Sequence, residues 1–358
     1  MCDSPRTVAI SLPIELAERG WFPDRLLRAG IRRLIRERLR DERARAGSDP
    51  SRGEAEFASN MARGPIVIHA DDANQQHYEV PPEFFRTVLG PRLKYSCAEF
   101  PTPDASLEQA EVHALARVCE RAGIADGMRV LELGCGWGSL SLFVAERFPN
   151  ARIVAVSNSK AQREYILAEC ARRGLDRLEV ITANVADFEP EGRFHRVVSV
   201  EMFEHVRNWD ALLARVERWL EPEGRLFVHV FCHRELAYAY ETRSQSDWMA
   251  RNFFSGGIMP SAGLIRRFAR SLRVEQEWRI DGTHYARTSE AWLGNLDRER
   301  DSVLRALAAG RGRRDAARAL QRWRIFFLAV AELFGASGGR EWGVAQYRLA
   351  RVDSGSDR

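Results

Sequence analysis

The chain has 358 residues, 45% hydrophobic and 29% charged, with 54 basic against 50 acidic residues and a formal net charge of +4. That is enough apolar residue for one large core or two smaller ones, which excludes whole-chain disorder, while 6 Cys, 26 Gly and 14 Pro exclude a disulfide scaffold and a collagen-like chain. No apolar run approaches the roughly 18 residues of a bilayer span, and the start MCDSPRTVAISLPIELAERG reads as lacking a signal peptide.

In chain order, residues 14–46 read as one helix, with Leu26, Leu27, Ile31, Leu34, Ile35 and Leu39 near helical spacing. Arg25–Arg45 carries nine Arg against Glu37, Asp41 and Glu42, a net of +6, so the rest of the chain sums to −2. This segment has three readings: packing on the core or on a partner subunit in a homodimer, peripheral docking to an anionic membrane surface, and nucleic-acid binding, for which no recognition motif is present. Lys94 and Lys160 are the only lysines, so part of the Arg excess reflects coding bias. Gly47–Pro65 reads as a linker, which makes residues 1–65 a basic helix plus strap. Residues 66–125 read as a mostly helical cap with a break at Pro81-Pro82.

From Gly127 the pattern changes. Strand-length runs at Arg129–Leu133, Arg152–Ser157, Leu178–Thr182, His195–Val200 and Arg225–Phe231 alternate with amphipathic segments such as Leu140–Phe148 and Lys160–Arg173. That alternation predicts an α/β fold with a parallel sheet covered on both faces. Residues 233–273 read as a helical insertion within a core spanning 126–358. Glu275–Gly282 and Val344–Ala350 read as closing strands, with helices at Ser289–Ala309 and Arg314–Phe334 between them. Cys2, Cys97, Cys119, Cys135, Cys170 and Cys232 form no CxxC pair, which points to reduced thiols in a cytoplasmic protein and to no metal site.

The most informative stretch is Val130-Leu-Glu-Leu-Gly-Cys-Gly-Trp-Gly-Ser139, a strand running through Gly134-x-Gly136-x-Gly138 into a helix. Glycines there let backbone approach a ligand at the carboxyl end of a strand. The spacing differs from the dinucleotide fingerprint, and no Lys-Ser/Thr follows as in a triphosphate loop. Glu201-Met-Phe-Glu-His205 follows another strand. Glu201 and Glu204, three apart, would share one face of a helical turn. Carboxylates in that place bind a protonated amine, remove its proton or stabilise a cationic product.

Glu132-Leu-Gly-Cys-Gly-Trp-Gly138 resembles motif I of class I S-adenosylmethionine (SAM) methyltransferases. His77-Tyr-Glu-Val-Pro81, Tyr95-Ser-Cys-Ala98 and Glu201–His205 resemble the cyclopropane fatty acid synthase and mycolic acid methyltransferase superfamily. Within it, Ser157–Gln162 and Phe326–Trp342 look most like the coclaurine-type N-methyltransferases. The resemblance covers about residues 66–352. It implies a Rossmann-like, doubly wound, mostly parallel seven-stranded sheet with an N-terminal helical cap and a helical lid insertion.

The resemblance also implies SAM as cofactor. Tyr78, Tyr95 and Ser96 would close over it, Glu132, Gly134 and Gly136 would face its methionine end, Ser157 and Gln162 its ribose, and Asn184 and Val185 its adenine. It leaves two acceptors open. The first is a small-molecule amine, with Glu204 and His205 as base and Glu201 anchoring the cation. The second is an unsaturated phospholipid acyl chain, with bicarbonate held by Cys97, Glu204, His229 and Tyr285. Glu201 stands where the cyclopropane synthases commonly have Gly, which favours the amine; His229 looks more like the synthases. A SAM-binding or lipid-associated regulatory protein is a third reading, against which the carboxylate cluster argues. Among Trp248, Phe253, Phe254, Trp278, Trp292, Trp323, Phe326 and Phe327, most would be core and a few would line an apolar pocket. His195 and His233 read as structural or surface residues.

Overall fold

The computed structural model describes residues 12–67, 80–241, 247–268, 270–309 and 312–352. Five parallel strands, β1 (Arg129–Leu133), β2 (Arg152–Ser157), β3 (Leu178–Thr182), β4 (Phe194–Val200) and β5 (Leu220–His233), form most of one sheet. A two-stranded ribbon, β6 (Tyr238–Ala239) and β7 (Ile258–Met259), stands apart. Two antiparallel strands, β8 (Leu272–Ile280) and β9 (Trp342–Arg351), complete seven strands in the order β3-β2-β1-β4-β5-β9-β8. The mostly parallel, seven-stranded, doubly wound sheet expected from the sequence is present. Strand order reverses between β1 and β4, and the crevice at their carboxyl ends is where such sheets bind ligands. The buried runs of β1 and β2 follow from burial of a parallel sheet on both faces.

The helices are α1 (Leu12–Glu18), α2 (Asp24–Ala46), α3 (Pro50–Met61), α4 (Pro82–Val88), α5 (Leu107–Ala122), α6 (Ser139–Arg147), α7 (Lys160–Arg173), α8 (Trp209–Trp219), α9 (Trp248–Asn252), α10 (Gly282–Arg298), α11 (Arg300–Ala308) and α12 (Arg313–Phe334). Several expectations are corrected. The helix expected over 14–46 breaks at Gly20, which has φ +78°, and restarts after Pro23. The supposed linker contains α3, because Asp49 caps the Ser51 and Arg52 N–H groups and Pro50 occupies the first turn. The helix expected over 289–309 starts at Gly282, capped by Asp281, and divides at Glu299. The described part of the 233–273 insertion is mostly irregular, holding the β6–β7 ribbon, the short α9 and a 3-10 turn at Leu264–Phe268. In the cap, residues 89–106 are irregular between α4 and α5.

The basic segment is not a separate module. Leu27 is buried in the same core as Phe84, Trp292 and Trp323, and Ile31, Ile35 and Leu39 pack against it. Arg28 pairs with Glu290 at 2.6 Å and Glu332 at 3.0 Å, Arg32 reaches Glu332 at 3.0 Å, and Arg43 pairs with Glu341. Three of the nine arginines are therefore turned onto α10, α12 and the residue before β9. Among the described residues, no helix is long and apolar enough to cross a membrane.

Gly282 is where α10 is fastened to the sheet. A Cβ there would lie 2.0 Å from the Trp342 carbonyl oxygen and 2.4 Å from that of Phe334, both backbone. Gly282→Ala is expected to destabilise the fold by at least the roughly 1–3 kcal/mol typical of overpacking, read as a lower thermal midpoint.

Candidate active site

At the end of β1 the chain turns through Gly134, Gly136 and Gly138, whose φ angles are +77°, +52° and +77°. The Gly134 and Cys135 N–H groups bond the Val156 carbonyl of β2 at 2.9 and 3.0 Å. A Cβ on Gly134 would sit 2.6 Å from Met202 Cγ, whereas Gly136 faces open space. The loop is thus pinned at one end and leaves room at its middle. Beside it, Ser139 Oγ in the first turn of α6 is buried with no partner among the described residues. Glu132 is buried, accepts the Ser141 hydroxyl, and is pushed up to about 7 by burial. Ser157 Oγ donates to Gln162 Oε1 at 2.6 Å. These groups fit SAM: an open glycine cradle, an unclaimed hydroxyl at a helix start, a carboxyl and an amide.

A cavity of about 730 Å³ runs from this loop beneath the cap. Of the expected cofactor contacts, Tyr95, Ser96, Glu132, Gly134, Gly136 and Gln162 line it. Ser157 lies behind Gln162, and Asn184 and Val185 are half-buried outside the lining, the Asn184 side chain accepting the Ala186 N–H at 2.9 Å. Tyr78 lies outside the described residues. The remaining walls are largely apolar and aromatic: Phe231, Tyr240, Trp248, Phe254, Tyr285, Trp292, Phe326, Phe334 and Trp342, with Leu27, Ile31 and Ile35 of α2. Phe253, Trp323 and Phe327 are core, Trp278 is half-buried on β8, and His233 is buried.

One carboxylate organises the floor. Glu201 follows β4 in the left-handed region, at φ +49°, which costs a non-glycine residue on the order of 1–3 kcal/mol. Its Oε1 accepts the Cys97 N–H at 2.9 Å and lies 3.2 Å from His229 Nε2; its Oε2 accepts the Tyr285 hydroxyl at 2.6 Å. These partners come from the cap, from β5 and from α10. Burial pushes the Glu201 carboxyl up, but the His229 hydrogen bond, the buried Lys94 charge and Tyr285 outweigh it, and its pKa lies below the ordinary value. Burial pushes His229 down and Tyr285 well up, so both are neutral.

Glu201 and Glu204 do not share a helical face. Glu201 ends the strand, Glu204 stands in a single 3-10 turn, Phe203–His205, and is fully buried off the cavity lining. Glu204 Oε1 accepts the Phe231 N–H at 2.7 Å, and its Oε2 has no partner among the described residues. Burial and the neighbouring Glu201 charge raise its pKa well above the ordinary 4.5, so of the two carboxyls Glu201 is the one that ionises first. His205 lines the cavity, its ring 4.6 Å from that of Phe254. The set expected around bicarbonate therefore divides: Cys97, His229 and Tyr285 close on the Glu201 carboxylate, and Glu204 does not join them. Lys94 was missed by the sequence reading. It is buried, donates to Ser96 and to the Cys97 carbonyl at 2.7 Å, and so holds the loop that presents the Cys97 N–H. Its rarity in an Arg-rich chain was the available signal.

A glycine turn at the switch point of this sheet, opening on a large cavity beneath a cap, is the arrangement of a class I SAM-dependent methyltransferase. Residues 68–337 match the family model described as mycolic acid cyclopropane synthetase. The chain belongs to that family. It is 33% identical to (S)-coclaurine N-methyltransferase of Thalictrum flavum subsp. glaucum over 95% of each chain. It is 30% identical to the cyclopropane-fatty-acyl-phospholipid synthase of Escherichia coli (strain K12) over 76% of this chain and 65% of that one. A crystal structure of coclaurine N-methyltransferase bound to N-methylheliamine and SAH superposes with a TM-score of 0.91, at 33% identity, covering 95% of this chain and 99% of that one.

The two carboxyls contribute to stability with opposite sign. Glu201, with a lowered pKa, stabilises the fold above its unfolded pKa, and that contribution is lost as pH falls through the folded one. Glu204, with a raised pKa, opposes folding as pH rises above about 4.5, by up to about 1.4 kcal/mol per unit until it ionises. Glu204→Gln keeps the acceptor for Phe231 and is expected to raise the thermal midpoint at pH 8 by a few degrees. The gain should vanish towards pH 4.5 in a pH series of melts.

Proposed function

We propose that this protein transfers the SAM methyl group to the nitrogen of a small-molecule amine with an apolar, aromatic-sized body. One observation carries the choice of acceptor: the donors that could hold a free bicarbonate are bonded to the side chain of Glu201. Three donors keep this carboxylate ionised at the floor of a largely apolar cavity, where it offers a counter-charge to a bound cation. An alkene offers no such charge, and a protonated amine does. The similarity to coclaurine N-methyltransferase over nearly the full chain supports the same choice.

When bound, SAM supplies an electrophilic methyl on a sulfonium. Its methionine end would be held by Glu132, Gly134 and Gly136, its ribose by Gln162 with Ser157 behind, and its adenine by Asn184 and Val185, with Tyr78, Tyr95 and Ser96 from the cap. The aromatic walls take the acceptor's body and exclude water. Glu201 draws the ammonium to the floor. Held by three donors, it is a weak base and acts as an anchor. His205, on the cavity wall, is placed to take the proton that frees the nitrogen lone pair, and Glu204 stays neutral in the same turn. Catalysis is then chiefly positioning of nitrogen against methyl, with proton removal as the second contribution.

Labelled SAM incubated with purified protein and either secondary benzylic amines or vesicles of unsaturated phospholipid should label the amine alone; label in the lipid would sink the reading. Glu201→Gln is expected to lower kcat/KM for the amine by about 10²–10³, as loss of one partner of a buried charge pair does. Glu201→Gly suits the positive φ and exposes the three donors, so acetate or bicarbonate should restore part of its activity. No rescue at any concentration would argue against the anchor.

A further inference from the structure

His229 can donate to Glu201 only if its proton sits on Nε2, and two residues outside the cavity determine that. Gln346 on β9 stands opposite His229 on β5 in the antiparallel register. Its amide has one accepting and one donating end, and the end facing His229 depends on what binds the other. Arg121, in the last turn of α5, settles this. A guanidinium only donates, and Arg121 donates to Gln346 Oε1. The Gln346 amide nitrogen is therefore the atom 2.9 Å from His229 Nδ1, and Nδ1 accepts. In a neutral imidazole the proton then lies on Nε2, aimed at Glu201 Oε1. Arg121 cannot swing away easily: it is 7% exposed, lies over the Trp278 ring at 5.5 Å, and is 3.6 Å from Glu99.

We propose that Arg121 and Gln346 are positioning residues that lock His229 in the Nε2–H tautomer and so make it a permanent donor to the Glu201 carboxylate. The functional meaning of this lock rests on the amine reading of Glu201. With Nδ1 satisfied by a donor, protonating His229 would break the bond to Gln346, so the imidazole remains a neutral hydrogen-bonding strut. The charged groups facing His229 are Glu201, Lys94 and Glu99; Glu201 further faces Tyr285, Cys97 and Glu204. None is altered by substitution at residue 346.

The test uses the full chain labelled with ¹⁵N-histidine, with the His229 signals assigned by their loss in His229→Asn. Proton–nitrogen correlation spectra should show a protonated Nε2 and a bare Nδ1 in the parent protein. Gln346→Glu places an acceptor at Nδ1, which should gain a proton. Gln346→Met, of similar shape, removes the selection and should give a mixture. The remaining histidine signals report whether each variant is folded. In the pH dependence of kcat/KM, the part of the acid limb set by Glu201 rather than by the base His205 should move down for Gln346→Glu, where an imidazolium faces Glu201, and up for Gln346→Met, where a donor is lost. Gln346→Met should also lose about 10–100-fold in kcat/KM, the size of loss seen for outer partners of metal-ligating histidines. Arg121→Lys keeps a donor and should lie nearer the parent. A merely structural role would not move the two limbs in opposite directions. A protonated Nδ1 in the parent, or nitrogen shifts unchanged in Gln346→Glu, would overturn the proposal. Nitrogen shifts as expected with no amine methylated would leave the tautomer lock standing and remove the amine reading instead.

Discussion

The cost of keeping one carboxylate ionised inside protein governs this structure. Several kcal/mol of desolvation oppose a buried charge, and Glu201 meets it with charge-assisted hydrogen bonds from three separate parts of the chain. The cap contributes a backbone N–H, the sheet an imidazole and α10 a phenol. None of these elements is near the others in sequence, so docking of the cap and of α10 onto the carboxyl end of the central strands is coupled to the charge state of one side chain. Lys94 and Glu111 extend the arrangement. Glu111 accepts the Arg92 N–H at 3.0 Å and Lys94 ties the next residues down, so the loop bearing Cys97 is fixed from both sides.

The sheet was legible because its signal is local. Strand-length apolar runs alternating with amphipathic segments place β1 to β5 within a few residues, and the glycine turn marks the switch point. The exceptions have identifiable causes. Gly20 and Pro23 interrupt an otherwise continuous helical pattern, and polar composition hid the Asp49-Pro50 start of α3. The irregular insertion gave no periodicity to separate it from weak helix.

The site was legible by residue but not by arrangement. Glu201, His229, Cys97 and Tyr285 were each singled out, yet their mutual hydrogen bonds depend on tertiary approach, and so does the split between an ionised Glu201 and a neutral Glu204. A helical turn was expected at residues 201–204, and a left-handed strand end replaces it. Gln346 and Arg121 carry no local signal, since an amide on a strand and an arginine at a helix end are ordinary. The basic segment shows the reverse case: its charge was conspicuous, but only the structure shows that Leu27, Ile31 and Ile35 roof the cavity while Arg28, Arg32 and Arg43 tie the helix down.

The left-handed backbone at Glu201 has a genetic corollary. The only residue that adopts φ +49° freely is glycine, and glycine and glutamate codons differ by a single transition at the second base. A tethered carboxylate and a diffusible one are thus one nucleotide apart at this position. Either can be bonded by the same backbone N–H, imidazole and phenol.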